Sequence, residues 1–178
     1  MQAKPNTTIS ILLLTLFTLT AQAQQPPIPK DAAYYRSKGY QVFPEFEFAV
    51  KCPCTLSDIS QRVHGDNDLS YGCTMNENSD EKFIMYQILV KKVPDGYLYA
   101  SVDKKKEVEE KLFTSFDGET KRVVFNGVNA VVISYNNKGI TGRAIAFIKN
   151  GATFTFNLMT NDGLEENFNS LTNNIKFF

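Results

Sequence analysis

Hydrophobic and polar positions alternate most regularly near the C-terminus, where ITGRAIAFIK and ATFTFNLMT flank Asn150-Gly151. Period-two alternation sends successive side chains to opposite faces of a strand. Asn-Gly between two such runs predicts a type I′ turn, whose two central residues need positive φ. The turn sets the register: Lys149 opposite Ala152, Phe147 opposite Phe154, Ile145 opposite Phe156 and Arg143 opposite Leu158. Those pairs share a bulky, aromatic face that needs a cover. The other face carries Gly142, Ala144, Ala146, Ile148, Thr153, Thr155, Asn157 and Met159, small or partly polar.

The period then changes. Leu164, Phe168, Leu171, Ile175 and Phe178 recur at helical spacing, which predicts an amphipathic helix lying on the bulky face. Asp162 is its expected N-cap, with Glu165 at capping-box spacing.

Upstream, Thr120 to Phe125 and Val128 to Tyr135 flank Asn126-Gly127, a second hairpin. Lys82 to Lys92 reads as a central strand ended by Pro94-Asp95-Gly96. Gln41 to Lys51 reads as one half-buried strand with Phe46, Phe48 and Val50 inward and Pro44 near its start. Ser101 to Phe116 is helical in pattern, with a narrow stripe of Val108, Leu112 and Phe116. Lys104, Lys105 and Lys106 are answered by Glu107, Glu109 and Glu110, a solvated helix face. Asp31 to Gly39 predicts a short helix. Residues 52–82 show little periodicity and read as irregular. Within them, Asp66-Asn67-Asp68-Leu69-Ser70 resembles the start of a calcium loop, but Tyr71 stands where that loop needs glycine, so the stretch reads as a turn. The order of elements predicts an α+β fold, an antiparallel sheet of about six or seven strands with helices packed on its faces.

Residues 1–23 have the form of a signal peptide: Lys4, the apolar run Ile9 to Leu19, then Ala21-Gln22-Ala23. The run is shorter than the ~20 residues a spanning helix needs. The expected organisation is a signal peptide at 1–23, a Pro-rich linker and short helix at 24–40, and a single α+β domain at 41–178. The expected location is exported, periplasmic or extracellular, with no membrane span after cleavage. The chain is 43% hydrophobic and 21% charged, a globular composition, and its formal net charge is zero, which offers nothing to nucleic acid.

The pointed chemistry is Cys52-Pro53-Cys54, His64 and Cys73. An exported chain favours a structural disulfide. Cysteines one residue apart bridge poorly across a proline, so Cys73 pairs with Cys54 or with Cys52. Cys54 is favoured, because Cys52 continues the inward face of Phe46, Phe48 and Val50. Cys52, Cys54, His64 and Cys73 also match a Cys₃His zinc set in number, though their spacing is not that of a zinc ribbon. His64 is the single histidine, set in a loop-like context. G-x-S-x-G, P-loop, G-x-G-x-x-G and H-E-x-x-H sequences are all absent, so no catalytic residue and no cofactor is expected. Paired carboxylates need only spatial proximity and stay open.

The phrase Asn126-Gly127-Val128-Asn129-Ala130 running into VVISY, with GRAIAFIKNGATFTFNLMT and the tail LTNNIKFF, resembles the closing pattern of PsbP-like proteins. The resemblance extends in layout over Glu45 to Phe178 and departs at Cys52-Pro53-Cys54. It implies an antiparallel sheet with helices on both sides and a non-catalytic binding or assembly module, with an unknown protein or small molecule as partner. It transfers no catalytic residue. The alternatives are a Cys/His metal or redox protein and a carboxylate-based hydrolase. The bulky hairpin face reads as core, which leaves the small-residue face, the hairpin tips or the loop near Cys73 for any ligand.

Overall fold

The computed structural model describes residues 30–63, 68–75, 82–94, 96–137 and 140–178. The predicted signal peptide, His64, Asp66, Asn67 and Asp95 lie outside the described residues. The chain opens with α1 (Ala32–Ser37), capped where Asp31 accepts from the Tyr34 amide. It continues through β1 (Gln41–Phe43), β2 (Phe48–Val50), β3 (Ser57–Asp58), the one-turn α2 (Ser60–Val63), β4 (Asp68–Met75) and β5 (Ile84–Lys92). Then come α3 (Val102–Phe113), β6 (Glu119–Phe125), β7 (Val128–Asn137), β8 (Ile140–Lys149), β9 (Ala152–Thr160), α4 (Leu164–Asn173) and β10 (Ile175–Phe177). The main sheet has seven strands in the order β3-β4-β5-β9-β8-β7-β6, and a second sheet has three, β1-β2-β10. Every pairing is antiparallel. The layout is α+β.

Both Asn-Gly turns form. Asn126 and Gly127 have φ of 47° and 79°, and Asn150 and Gly151 have 49° and 75°, the left-handed values a type I′ turn requires. The β8–β9 register pairs Phe147 with Phe154, Ile145 with Phe156 and Arg143 with Leu158, as the turn position dictates. The resulting core face is sealed by the three-stranded sheet and α4. Phe48, Phe147, Phe154, Phe156 and Leu158 are fully buried there, with Phe48 edge-on to Phe154 and Phe156. Burying each such side chain contributes about 1.5–3 kcal/mol.

Three stretches of the chain depart from expectation. Gln41 to Lys51 is a hairpin rather than one strand. Pro44 starts a 3₁₀ turn, Glu47 takes a left-handed φ of 54°, and β1 folds back on β2 with Phe43 stacked on Phe48. A proline lacks the amide that a continuous strand would donate, and its fixed φ suits a turn. The C-terminal helix stops at Asn173. Ile175 and Phe178 therefore do not extend its stripe; Ile175 to Phe177 pair with β2 instead. Asn174 ends the helix by returning its amide to Leu171, and its side chain to the Ser170 carbonyl. The β-branched and aromatic residues that follow suit an extended chain. The N-cap position is Gly163, at φ 65°, while Asp162 pairs with Lys82 at 2.9 Å.

The third correction is β4, in the stretch read as irregular. Asp68 to Met75 pair with β5 along their whole length, so Asp68, Leu69 and Ser70 are strand and not turn. Leu69, Tyr71, Cys73 and Met75 pack toward the core, and Asp68, Ser70, Gly72 and Thr74 alternate onto the other face. On that outer face α3 covers β7 and β8 and reaches β6, where Glu110 pairs with Arg122. Phe113, outside the expected stripe, is its buried anchor against Val131, Ile133, Ala144 and Ala146. Thr114 and Ser115 end the helix by bonding back to the Glu110 and Leu112 carbonyls. The outer face of β5 and β9 has no helix over it among the described residues, while Ile59 and the start of α2 pack along β4.

Candidate functional site

The uncovered part of the outer face is a trough whose floor is polar but uncharged. The register sets Ser70, Gln87 and Asn157 on β4, β5 and β9, with Gln87 opposite Asn157. Gln87 Nε2 donates to Ser70 Oγ at 3.3 Å, and Asn157 Nδ2 lies 3.5 Å from Gln87 Oε1. Tyr135, on β7, completes the row by donating its hydroxyl to Asn157 Oδ1 at 2.6 Å.

Tyr135 reaches Asn157 only by lying across β8. Its partner there is Gly142, and a Cβ built on Gly142 would stand 2.1 Å from the Tyr135 ring. Gly142 is therefore the seat of the ring. Gly72 plays the same part on β4, where an added Cβ would meet Ile59 Cδ1 at 2.8 Å. Ile59 and its neighbours are stitched to β4: the Ile59 amide donates to the Ser70 carbonyl at 2.7 Å, and the Ser70 amide to Ser60 Oγ at 2.9 Å. Ser70 is completely buried by these contacts.

Two hollows meet at Gln87. One, of about 360 Å³, lies between Leu89, Phe116, Ile133, Tyr135, Thr155 and Asn157. The other, of about 500 Å³, runs from Gln87 past Gly72, Thr74 and Met85 to Ile59 and Cys54. Together they bring amides, hydroxyls and apolar surface into one cleft, a combination typical of small-molecule sites. Among the described residues the lining includes no lysine, arginine or histidine, and Asp117 is its one charged side chain. Burial lifts the Tyr135 phenol above its ordinary pKa, so it stays a neutral donor.

Cys54 and Cys73 form a disulfide that ties the wall of the larger hollow to β4. As bonded, neither has a thiolate to offer a metal, which separates them from the Cys₃His set. Cys52 is the free cysteine, half-buried against the core, and burial pushes its thiol up to about 12. Cys73 thus pairs with Cys54 and not with Cys52. His64 lies outside the described residues. Among the described residues no three His, Cys, Asp or Glu side chains gather as a metal site.

Two other surfaces carry charge or exposed apolar groups. Over the core side, Arg143 stacks on Phe168 at 5.5 Å, donates to Ser134 Oγ and pairs with Glu165, which clamps α4 to the sheet. At the start of α3, Leu98, Tyr99 and Val102 are exposed.

Of the trough residues, Gly142, Thr155 and Asn157 are on the small-residue face that the hairpin register predicts. Ser70 and Gln87 escape that reading. Gln87 is the lone uncharged polar residue inside FIMYQILV, and Ser70 belongs to a strand taken for a turn. The alternation of DLSYGCTM is the signal that finds β4.

Fold and site together define an α+β domain with a trough of uncharged floor on one sheet face. No protein-family model matches the chain, and no curated protein matches it. Two solved structures are similar to it at low identity. One is a crystal structure from Bacteroides thetaiotaomicron VPI-5482, with a TM-score of 0.45 and 9% identity over 78% of this chain and 48% of that one. This chain thus spans about half the length of that structure. The other is the solution structure of cyanobacterial PsbP (CyanoP) from Synechocystis sp. PCC 6803, with a TM-score of 0.40 and 9% identity over 78% of this chain and 91% of that one. A PsbP structure is thus among the neighbours. Likenesses of this size carry no argument about activity or partner.

Proposed function

We propose that the protein is an exported, non-catalytic binding module that holds a small molecule in the outer-face trough. The observation that carries the reading is the row Tyr135, Asn157 and Gln87, held from beneath by the buried Ser70 and set in an open cleft with apolar walls. Each amide keeps hydrogen-bonding capacity beyond the bonds of the row, and a bound molecule uses that capacity without rearranging the sheet. The reading as a binder also draws support from a lining whose one ionisable carboxylate is Asp117, with no histidine or lysine beside it among the described residues. Export is supported by the predicted signal peptide at 1–23 and by the disulfide, a bond that persists in oxidising compartments. No helix among the described residues is long and apolar enough to cross a membrane. The corresponding domain reading is a linker and short helix at 24–40 and a binding domain at 41–178.

The test is a fragment screen on the mature chain, observed through the side-chain amide signals of Gln87 and Asn157. Fragments that shift those signals are expected to lose binding in Thr155→Phe, which fills the floor. Fragments that bind only elsewhere, with Gln87 and Asn157 unmoved, overturn the reading.

A further inference from the structure

We infer that the trough's ligand is a neutral saccharide, an inference that rests on the trough being the binding site. Charge decides first. A carboxylate or phosphate needs a cation within hydrogen-bond reach, and among the described residues the lining has none. A cationic ligand meets a single carboxylate, that of Asp117, at one end of the cleft. A charged ligand on this floor gives up its hydration for amides and hydroxyls alone, which is unfavourable.

The chemistry of the floor decides next. Gln87 and Asn157 each present a donor and an acceptor side by side, and Tyr135 adds a hydroxyl. Paired donors and acceptors match groups that both give and accept hydrogen bonds, as sugar hydroxyls do. Leu89, Ile133 and Phe116 supply apolar surface beside that row, suited to the C–H face of a pyranose ring. A peptide is the nearest competitor, since it too is neutral and polar. An extended peptide, however, satisfies its backbone at a sheet edge. Here β5, β9 and β8 are each paired on both sides, so the floor presents side chains and no free backbone row.

The length of the cleft favours more than one ring. The two hollows join at Gln87 and run from Phe116 to Ile59, across β9, β5 and β4. Neighbouring strands lie about 4.8 Å apart, so the floor spans roughly 10 Å, the reach of a short oligosaccharide.

The experiment is titration calorimetry of the mature chain with cellotetraose, maltotetraose and chitotetraose, beside an uncharged tetrapeptide. At least one saccharide is expected to bind, with affinity falling about tenfold or more in Gln87→Glu, which keeps the shape but removes the amide donors. Tyr99→Ser, at the exposed tip of the chain before α3, is expected to leave binding unchanged. Unfolding midpoints of both variants separate a lost contact from a lost fold. If the tetrapeptide binds and Gln87→Glu abolishes it while no saccharide binds, the ligand class is wrong and the trough reading survives. If a saccharide binds equally well to wild type and Gln87→Glu, the contact is elsewhere and the inference falls. If none binds, and the fragment screen also leaves Gln87 and Asn157 unmoved, both readings fall.

Discussion

The contact between Tyr135 and Gly142 yields a prediction in which the sign of one mutation reverses with its background. A glycine inside a strand costs about 0.5–1 kcal/mol relative to alanine, so Gly142→Ala taken alone ought to stabilise. In the native protein the new methyl meets the Tyr135 ring at 2.1 Å and forces it off its seat. Displacing the ring forfeits the hydrogen bond to Asn157, worth about 1 kcal/mol, and returns ring surface to water for about 1 kcal/mol more. The balance is a destabilisation of roughly 1–1.5 kcal/mol. In a Tyr135→Ala background the clash is gone, and Gly142→Ala stabilises by about 0.5–1 kcal/mol. The coupling between the two sites is therefore about 2 kcal/mol. Urea unfolding of the four proteins measures it, provided the m-values agree so that midpoints report stability. The same sign for Gly142→Ala in both backgrounds refutes the claim that Gly142 exists to seat Tyr135.

Removing the disulfide through Cys54→Ala with Cys73→Ala is expected to lower stability by about 3 kcal/mol for a separation of 19 residues, read by the same unfolding assay against the wild type with its disulfide intact. Thiol titration of the unreduced, denatured protein should find one free thiol, Cys52; three would contradict the pairing. Cys52 also gives a pH dependence. Its pKa is raised from 9.0 to about 12 in the fold, so the folded state keeps the proton that the unfolded state releases. Its contribution is complete below pH 9.0 and is lost as pH rises toward about 12, and Cys52→Ala should flatten the decline in that window. Ile175→Ala should cost about 2–5 kcal/mol, because this residue is fully buried where β10 pairs with β2; an effect near zero would contradict the docking of the tail as a strand. Gly151→Ala should cost about 1–2 kcal/mol through its φ of 75°, with the ligand site untouched.

The parts of the fold that could be read from the sequence are those where local pattern and tertiary role agree. The two Asn-Gly turns point to four strands and, for β8 and β9, to their register, because a type I′ turn matches the twist of the flanking strands. Failure came where a tertiary partner outweighed the local pattern. Ile175 and Phe178 keep helical spacing with Phe168 and Leu171, but the open edge of β2 offers backbone pairing that a further helical turn cannot match. Phe46 and Phe48 alternate as in a strand, yet Pro44 and the left-handed Glu47 turn the chain between them. The trough was half legible. Its small face follows from the hairpin register, whereas the reach of Tyr135 over Gly142 depends on which rotamer the empty position admits. Ser70 was hidden by the acidic residues before it, which drew attention to a turn and away from the alternation of β4.

The central claim is that ligand contacts fall on the outer face, in the row from Gln87 to Tyr135. Backbone and side-chain chemical-shift mapping of the mature chain, titrated with the saccharide that binds best, tests it most directly. The account predicts shifts centred on Gln87, Thr155 and Asn157, extending to Tyr135 and Leu89, with Phe48, Phe154 and Phe177 unmoved. Shifts centred instead on Leu98, Tyr99 and Val102, or on Arg143 and Glu165, would contradict it.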